Sequence, residues 1–224
     1  MTTIEATEIP DTRDMVTVHR FLRREFRLAP GLVERVGEGD VQRAALVGRH
    51  LDFMSEFLHH HHTAEDDVLW PVLLERVPDD LAPLVELMEA QHERVDELLQ
   101  EINALVPVWT STASAADRDR LAGLLAELYV GLHEHMEAEE IRILPLAASC
   151  MSVPEWKAIG EAATQEHPKK QLPLILGMIE YEGDPEVVAE LVGNAPKLLQ
   201  LIVPPLSKRA FRKYCLALHG TATP

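Results

Sequence analysis

Two blocks of the chain carry histidine and glutamate at a spacing suited to metal ligation. The first, LHHHHTAEDDVLWP, runs from Leu58 to Pro71, and the second, LHEHMEAEEIRILP, from Leu132 to Pro145. Aligned without gaps they are identical at Leu58/Leu132, His59/His133, His61/His135, Ala64/Ala138, Glu65/Glu139 and Pro71/Pro145, with Asp66 opposite Glu140. On an α-helix, residues four apart lie one above the other on the same face. His61 with Glu65, and His135 with Glu139, can therefore each aim an imidazole and a carboxylate at one point. Such mixed ligands suit iron, manganese or zinc. A matched pair of units predicts two metals or a two-fold site.

The elements that must position these groups follow from apolar periodicity. Asp11 to Leu28 reads as a first helix, with Met15, Val18, His19, Leu22 and Phe26 on one stripe and Arg20, Arg23, Arg24 and Arg27 facing outward. Ala29-Pro30-Gly31 punctuates it. Asp40 to about Arg76 is a long second helix that Pro71 kinks or ends locally, because proline removes a backbone donor. Asp79 or Asp80 caps a third helix running to about Val106, with Val85, Met88, His92, Val95 and Leu99 inward. Pro107 and the run from Thr110 to Ala116 form a linker, and Ser114 or Asp117 starts a fourth helix. His19 precedes His61 by 42 residues and His92 precedes His135 by 43. Each half is thus a helix with one inward histidine followed by a helix with His-x-x-x-Glu. Two such hairpins pair into a four-helix bundle, an architecture that builds metal sites from facing side chains.

Composition narrows the function classes. The chain has 224 residues, 46% hydrophobic, enough for a substantial core. The net charge of −16 argues against nucleic acid, which needs a basic face. Two distant cysteines, Cys150 and Cys215, fit a reducing cytoplasm better than a disulfide scaffold. The acidic N-terminus lacks an apolar signal region, and no stretch reaches the length of a membrane span. From Cys150 onward eight basic residues balance eight acidic ones, so residues 1–149 carry the whole −16. That asymmetry sets an expected boundary near residue 150, with a bundle over residues 11–149 and a helical extension over 150–224.

At the lone His19, the HHTAEDDVLWP block, the lone His92 in EAQHERV, and HMEAEEIRILP, the chain resembles the hemerythrin-like family of HHE cation-binding domains. The resemblance covers about two-thirds of the chain. It implies an all-α, up-down four-helix bundle and a non-haem di-iron centre, two iron ions bridged by an oxo or hydroxo group. His19, His61, His92 and His135 would be terminal ligands, with Glu65 and Glu139 bridging. Oxygen-carrying members place a further histidine one turn after the lone one on the third helix, where this chain has Asp96. Two six-coordinate irons need about twelve ligand positions. Four histidines, two bridging carboxylates and a bridging oxygen leave some of these to water, peroxide, nitric oxide or another side chain. The resemblance thus points to binding, sensing or detoxifying O2, H2O2 or NO, with peroxide disproportionation as the enzymatic version. A non-catalytic iron store or donor, or an iron-responsive interaction module, is the alternative.

Other residues could extend the site. His62 lies about 100° round the helix from His61, within reach of the site edge; its counterpart is Met136. His59 and His133 point away from the ligand face and His60 toward solvent. Asp66 and Glu140 either hydrogen-bond the ligand imidazoles or form part of a solvated acidic face, with nothing in the sequence favouring one. His50 is eleven residues before His61, about 16 Å away along the helix, too far to share the metals; packing beside an acid is preferred over lining an access path. Tyr129 is a core residue or a redox-active or hydrogen-bonding neighbour of the site.

The C-terminal part has helix starts at Ser152-Val153-Pro154-Glu155 and Asp184-Pro185-Glu186. Its last segment, SKRAFRKYCLAL, is basic and amphipathic. These helices are expected to cover one end of the bundle or to form a homodimer surface. For the last segment, docking against the acidic bundle accounts for the charge as well as a membrane surface does.

Overall fold

The computed structural model describes residues 9–77, 82–165, 167–193 and 197–224. The described residues are helical, without strands. Helices α1 (Arg13–Glu34), α2 (Val41–Ala64), α4 (Ala82–Thr112) and α5 (Ala115–Ala138) form the bundle. Around its circumference α1 meets α2, α2 meets α4, α4 meets α5, and α5 closes back onto α1. The expected cap at Asp79 or Asp80 lies outside the described residues.

Local chemistry accounts for several boundaries. Asp40 caps α2 by accepting from the Arg43 amide at 2.9 Å. Ser114 caps α5, accepting from the Asp117 amide at 3.2 Å and donating to its carboxylate at 2.7 Å. Two prolines expected to end helices do not. The first helix continues through Pro30 to Glu34 and the third through Pro107 to Thr112. Beyond each proline the apolar stripe resumes with fully buried residues, Leu32 and Val33 in one case and Trp109 in the other. Packing of those side chains outweighs the one hydrogen bond that each proline removes. The expected linker shrinks to a tight turn at Ala113, whose φ of 50° supplies the left-handed residue that ends a helix.

Each His-x-x-x-Glu unit runs into a π-helical turn, π1 (Glu65–Leu69) or π2 (Glu139–Ile143). A short α-helix follows, α3 (Trp70–Arg76) or α6 (Leu144–Cys150). The Trp70 amide donates to the Glu65 carbonyl and the Leu144 amide to the Glu139 carbonyl, five residues back in each case. Pro71 and Pro145 follow directly. A proline offers no amide proton and its ring crowds the carbonyl four residues back. The widened turn just before it relieves both while keeping the chain helical.

The remaining helices are α7 (Val153–Gln165), α8 (Leu172–Glu182), α9 (Pro185–Gly193) and α10 (Lys197–His219). The Ser152 hydroxyl and amide both donate to Glu155, at 2.7 and 2.8 Å, at the start of α7. Helix α7 packs on α2 and π1, whereas α8 packs on α1 and α10. Helix α10 continues through Pro204 and Pro205. It buries Ser207, Phe211, Cys215 and Leu218, leaving Lys208, Arg209, Arg212 and Lys213 exposed. The basic residues therefore face away from the acidic bundle on which the helix rests.

Candidate metal centre

The bundle has two apolar cores separated by one polar layer. One core includes Leu22, Leu58, Val95 and Leu132; the other includes Met15, Leu69, Met88 and Ile143. Between them each helix contributes from the same level: His19 from α1, His61 and His62 from α2, His92 from α4, and His135 from α5, with Glu65 and Glu139 opening the two π turns. All seven are buried, and both carboxylates are fully so.

Their mutual geometry is convergent. Glu65 reaches in two directions, with Oε1 3.2 Å from His61 Nε2 and Oε2 3.3 Å from His92 Nε2. Glu139 Oε2 lies 3.4 Å from His19 Nε2 and 3.8 Å from His135 Nε2. His92 and His135 approach through their Nε2 atoms at 3.0 Å. Two groups of donors able to hold an ion result, His62/Glu65/His92/His135 and His19/His61/Glu65, each with its atoms within 4.8 Å of one another. Glu65 belongs to both.

The outer nitrogens of three imidazoles are held by neighbours. His19 Nδ1 lies 3.0 Å from Glu140 Oε1, which also accepts from Arg23 at 2.6 Å. His92 Nδ1 lies 2.8 Å from Asp66 Oδ1, which also accepts from the Trp70 indole at 2.9 Å. His135 Nδ1 lies 3.2 Å from Gln91 Oε1. An outer N–H donated to an oxygen leaves Nε2 unprotonated and aimed at the centre. The acid that follows each buried glutamate, Asp66 after Glu65 and Glu140 after Glu139, thus serves the lone histidine of another helix.

The inward atoms tell the opposite story. His19 Nε2, His61 Nε2, both nitrogens of His62 and all four oxygens of Glu65 and Glu139 are buried with no hydrogen-bond partner. Leaving so many polar groups unpaired is costly. A cation with nitrogen and oxygen ligands satisfies them together, so the residues present fit a metal.

Electrostatics agree. Burial pushes the Glu139 carboxyl up to about 8 and raises Glu65. Burial, with the neighbouring imidazoles, holds His61, His62 and His135 well below their ordinary range, so they are neutral and ready to ligate. His92 is the exception. Burial opposes its charge, yet the hydrogen bond to Asp66 and the Glu65 carboxylate 3.3 Å away outweigh it and push it up to about 10. Burial also opposes the charge of Glu140, but His19 and Arg23 hold it below the usual carboxylate range.

The structure sorts the other candidates. His62 stacks on His92, with ring centroids 4.0 Å apart, and joins one donor group. Asp96 is half-buried and belongs to neither donor group. Tyr129 packs on the larger core beside His133, away from the centre. His50 lies 2.7 Å from the Tyr214 hydroxyl and 3.6 Å from Glu25, the acid beside which it packs. His59 and His133 are exposed, while His60 is half-buried against His167 of the loop after α7. Arg24, expected to face outward, is buried between Glu25, Glu182 and the rings of Tyr181 and Phe211. Helix α8 covers that side of α1, and nothing in the periodicity of α1 foretells it. Gln91 and Arg23 were the other contributors not foreseen; each lies next to or one turn from a lone histidine, the only available signal.

Fold and site together define an all-α bundle protein with a buried histidine–carboxylate group able to bind a cation. The family model described as Hemerythrin HHE cation binding domain matches residues 11–147, and the chain belongs to that family. Comparison with curated proteins and with solved structures gave no significant match.

Proposed function

We propose that the chain holds a non-haem di-iron centre and uses it to bind, sense or detoxify O2, peroxide or nitric oxide. The observation that carries this reading is the sharing of Glu65 between two donor groups, with Glu139 in reach of a histidine from each. Carboxylates placed between two sets of imidazoles suit a pair of ions.

His19 and His61 would serve one ion, and His62, His92 and His135 the other, with Glu65 and Glu139 bridging. His62 then supplies the fifth histidine that Asp96 does not. The donor set is asymmetric, with fewer protein nitrogens on the side of His19 and His61, where a small exogenous ligand would bind. When bound, the irons supply Lewis acidity and electrons. Asp66, Glu140 and Gln91 hold the outer N–H of His92, His19 and His135, fixing their orientation and basicity. The two apolar cores on either side limit water access to the layer.

Metal analysis and the optical spectrum of aerobically purified protein, before and after peroxide, test the reading. Two irons per chain with near-ultraviolet bands that respond to peroxide support it. Catalytic oxygen evolution would make it an enzyme, whereas a stoichiometric spectral change would make it a binding protein or sensor. Folded protein that cannot be loaded with iron overturns it.

A further inference from the structure

Among the described residues the basic face of α10 has no partner within the chain, and an acidic face on α5 matches it. On α10, Leu206, Arg209, Lys213 and Leu216 follow one another at intervals of three, four and three residues, which places them on one stripe at about 100° per residue. All four are exposed, Leu206 and Leu216 to 50% and 47%. On α5 and π2, Val130, Glu134, Glu137 and Ile141 recur at intervals of four, three and four. They too are exposed, Val130 and Ile141 to 55% and 66%. Among the described residues, Arg209, Lys213, Glu134 and Glu137 form no ion pair or hydrogen bond. Each stripe is therefore two unpaired like charges flanked by two exposed apolar side chains, and the two stripes carry opposite signs.

Their lengths agree. Val130 to Ile141 spans about 16 Å of helix and Leu206 to Leu216 about 15 Å. Laid antiparallel, Leu206 meets Ile141, Arg209 meets Glu137, Lys213 meets Glu134, and Leu216 meets Val130. Each cation faces a carboxylate and each end closes with an apolar contact. The two faces do not meet within one chain: α10 packs on α8 and α9 and touches α1 and α2 through Phe211, Tyr214 and the carbonyls of Ala217 and Leu218, while α5 packs on α1 and α4. We propose that the α10 face of one molecule docks on the α5 face of a second copy of this chain. In a two-fold dimer the contact is made twice, once from each molecule's α10. This association is independent of what the metal layer binds.

Charge complementarity of this kind is read by reversal and restoration. Sedimentation velocity of the full chain at low salt is expected to show a dimer that dissociates as salt rises. The double variant Arg209→Glu/Lys213→Glu should raise the dissociation constant at least about tenfold, as should Glu134→Lys/Glu137→Lys. Combining all four reversals restores the ion pairs with opposite polarity and should return the constant to near the parent value. These side chains are exposed, and unchanged helicity and metal content in each variant separate lost association from damage to the fold or centre. A parent that stays monomeric at about 100 µM overturns the proposal. So does loss in Arg209→Glu/Lys213→Glu without restoration in the quadruple variant. Binding to vesicles containing anionic phospholipid, lost in Arg209→Glu/Lys213→Glu and not restored by the quadruple variant, would assign the basic face to a membrane surface instead.

Discussion

The bundle buries histidine and glutamate in two places, and the two are resolved differently. At one level, five histidines and two glutamates face one another with no lysine or arginine among them, and eight inward nitrogen and oxygen atoms are unpaired. Farther along α1 and α2, Glu25 and His50 are equally buried, but Arg24 pairs with Glu25 and the Tyr214 hydroxyl meets His50 at 2.7 Å. The second cluster brings its own cation and hydrogen-bond partner, though Glu25 Oε2, His50 Nε2 and two Arg24 nitrogens there also lack a hydrogen bond. The first has no such cation among the described residues, and its donors are grouped so that they could hold a metal ion. Burial of polar residues therefore does not by itself mark a metal site; convergent lone pairs without a protein cation do.

That contrast can be broken most directly at Glu65. Replacing it with alanine removes a carboxylate that reaches both donor groups, and metal analysis is expected to show loss of both ions. Retention of two would end the bridging role. His62→Leu and His50→Leu sharpen the comparison, since both remove a buried histidine from α2. The first should weaken metal binding by more than the ~10–100-fold seen for outer-shell partners, by competition with a chelator. The second should leave metal content unchanged and cost about 1–3 kcal/mol of stability, through the groups left unpaired.

The second cluster also makes a pH prediction. Burial raises the Glu25 carboxyl to about 7, so the folded chain binds its proton more tightly than the unfolded chain does. Its contribution to stability is present in full below the unfolded carboxylate range and is lost as pH rises to about 7. Burial lowers His50 to about 3, so its contribution is present above the unfolded histidine range and is lost as pH falls toward 3. Over the shared range the two effects oppose. Glu25→Gln removes the first alone. Its stability relative to the parent is expected to rise between about pH 4.5 and 7, by about 3 kcal/mol at most, in urea unfolding at stepped pH. A flat difference would mean that Glu25 stays ionised beside Arg24.

The smallest effect belongs to the outer partners. Asp66→Asn and Glu140→Gln keep the size of the side chain and remove its charge, and each should weaken metal binding about 10–100-fold. Equal losses in the two variants would support equivalent roles in the two halves of the repeat.

The duplicated His-x-x-x-Glu unit, the lone His19 and His92, and the helical periodicity around them were enough to read the bundle and the residues that meet in its polar layer. A helix converts spacing of four into a shared face, and spacings of 42 and 43 between helices into a shared level, so local sequence already contained that information. Helix ends at Pro30 and Pro107 were misread because buried residues beyond each proline overrode its local preference. The inward turn of His62, the clamp of Arg23 on Glu140 and the contact of Gln91 with His135 depend on which helices are neighbours across the bundle. The burial of Arg24 and the outward basic face of α10 depend on how the C-terminal helices dock. Those contacts join residues far apart in the chain, and no local periodicity encodes them. The sequence by itself determined which groups share a level; only the packing of α8 and α10 against α1 and α2, and of the four bundle helices against one another, decided which of them remain unpaired.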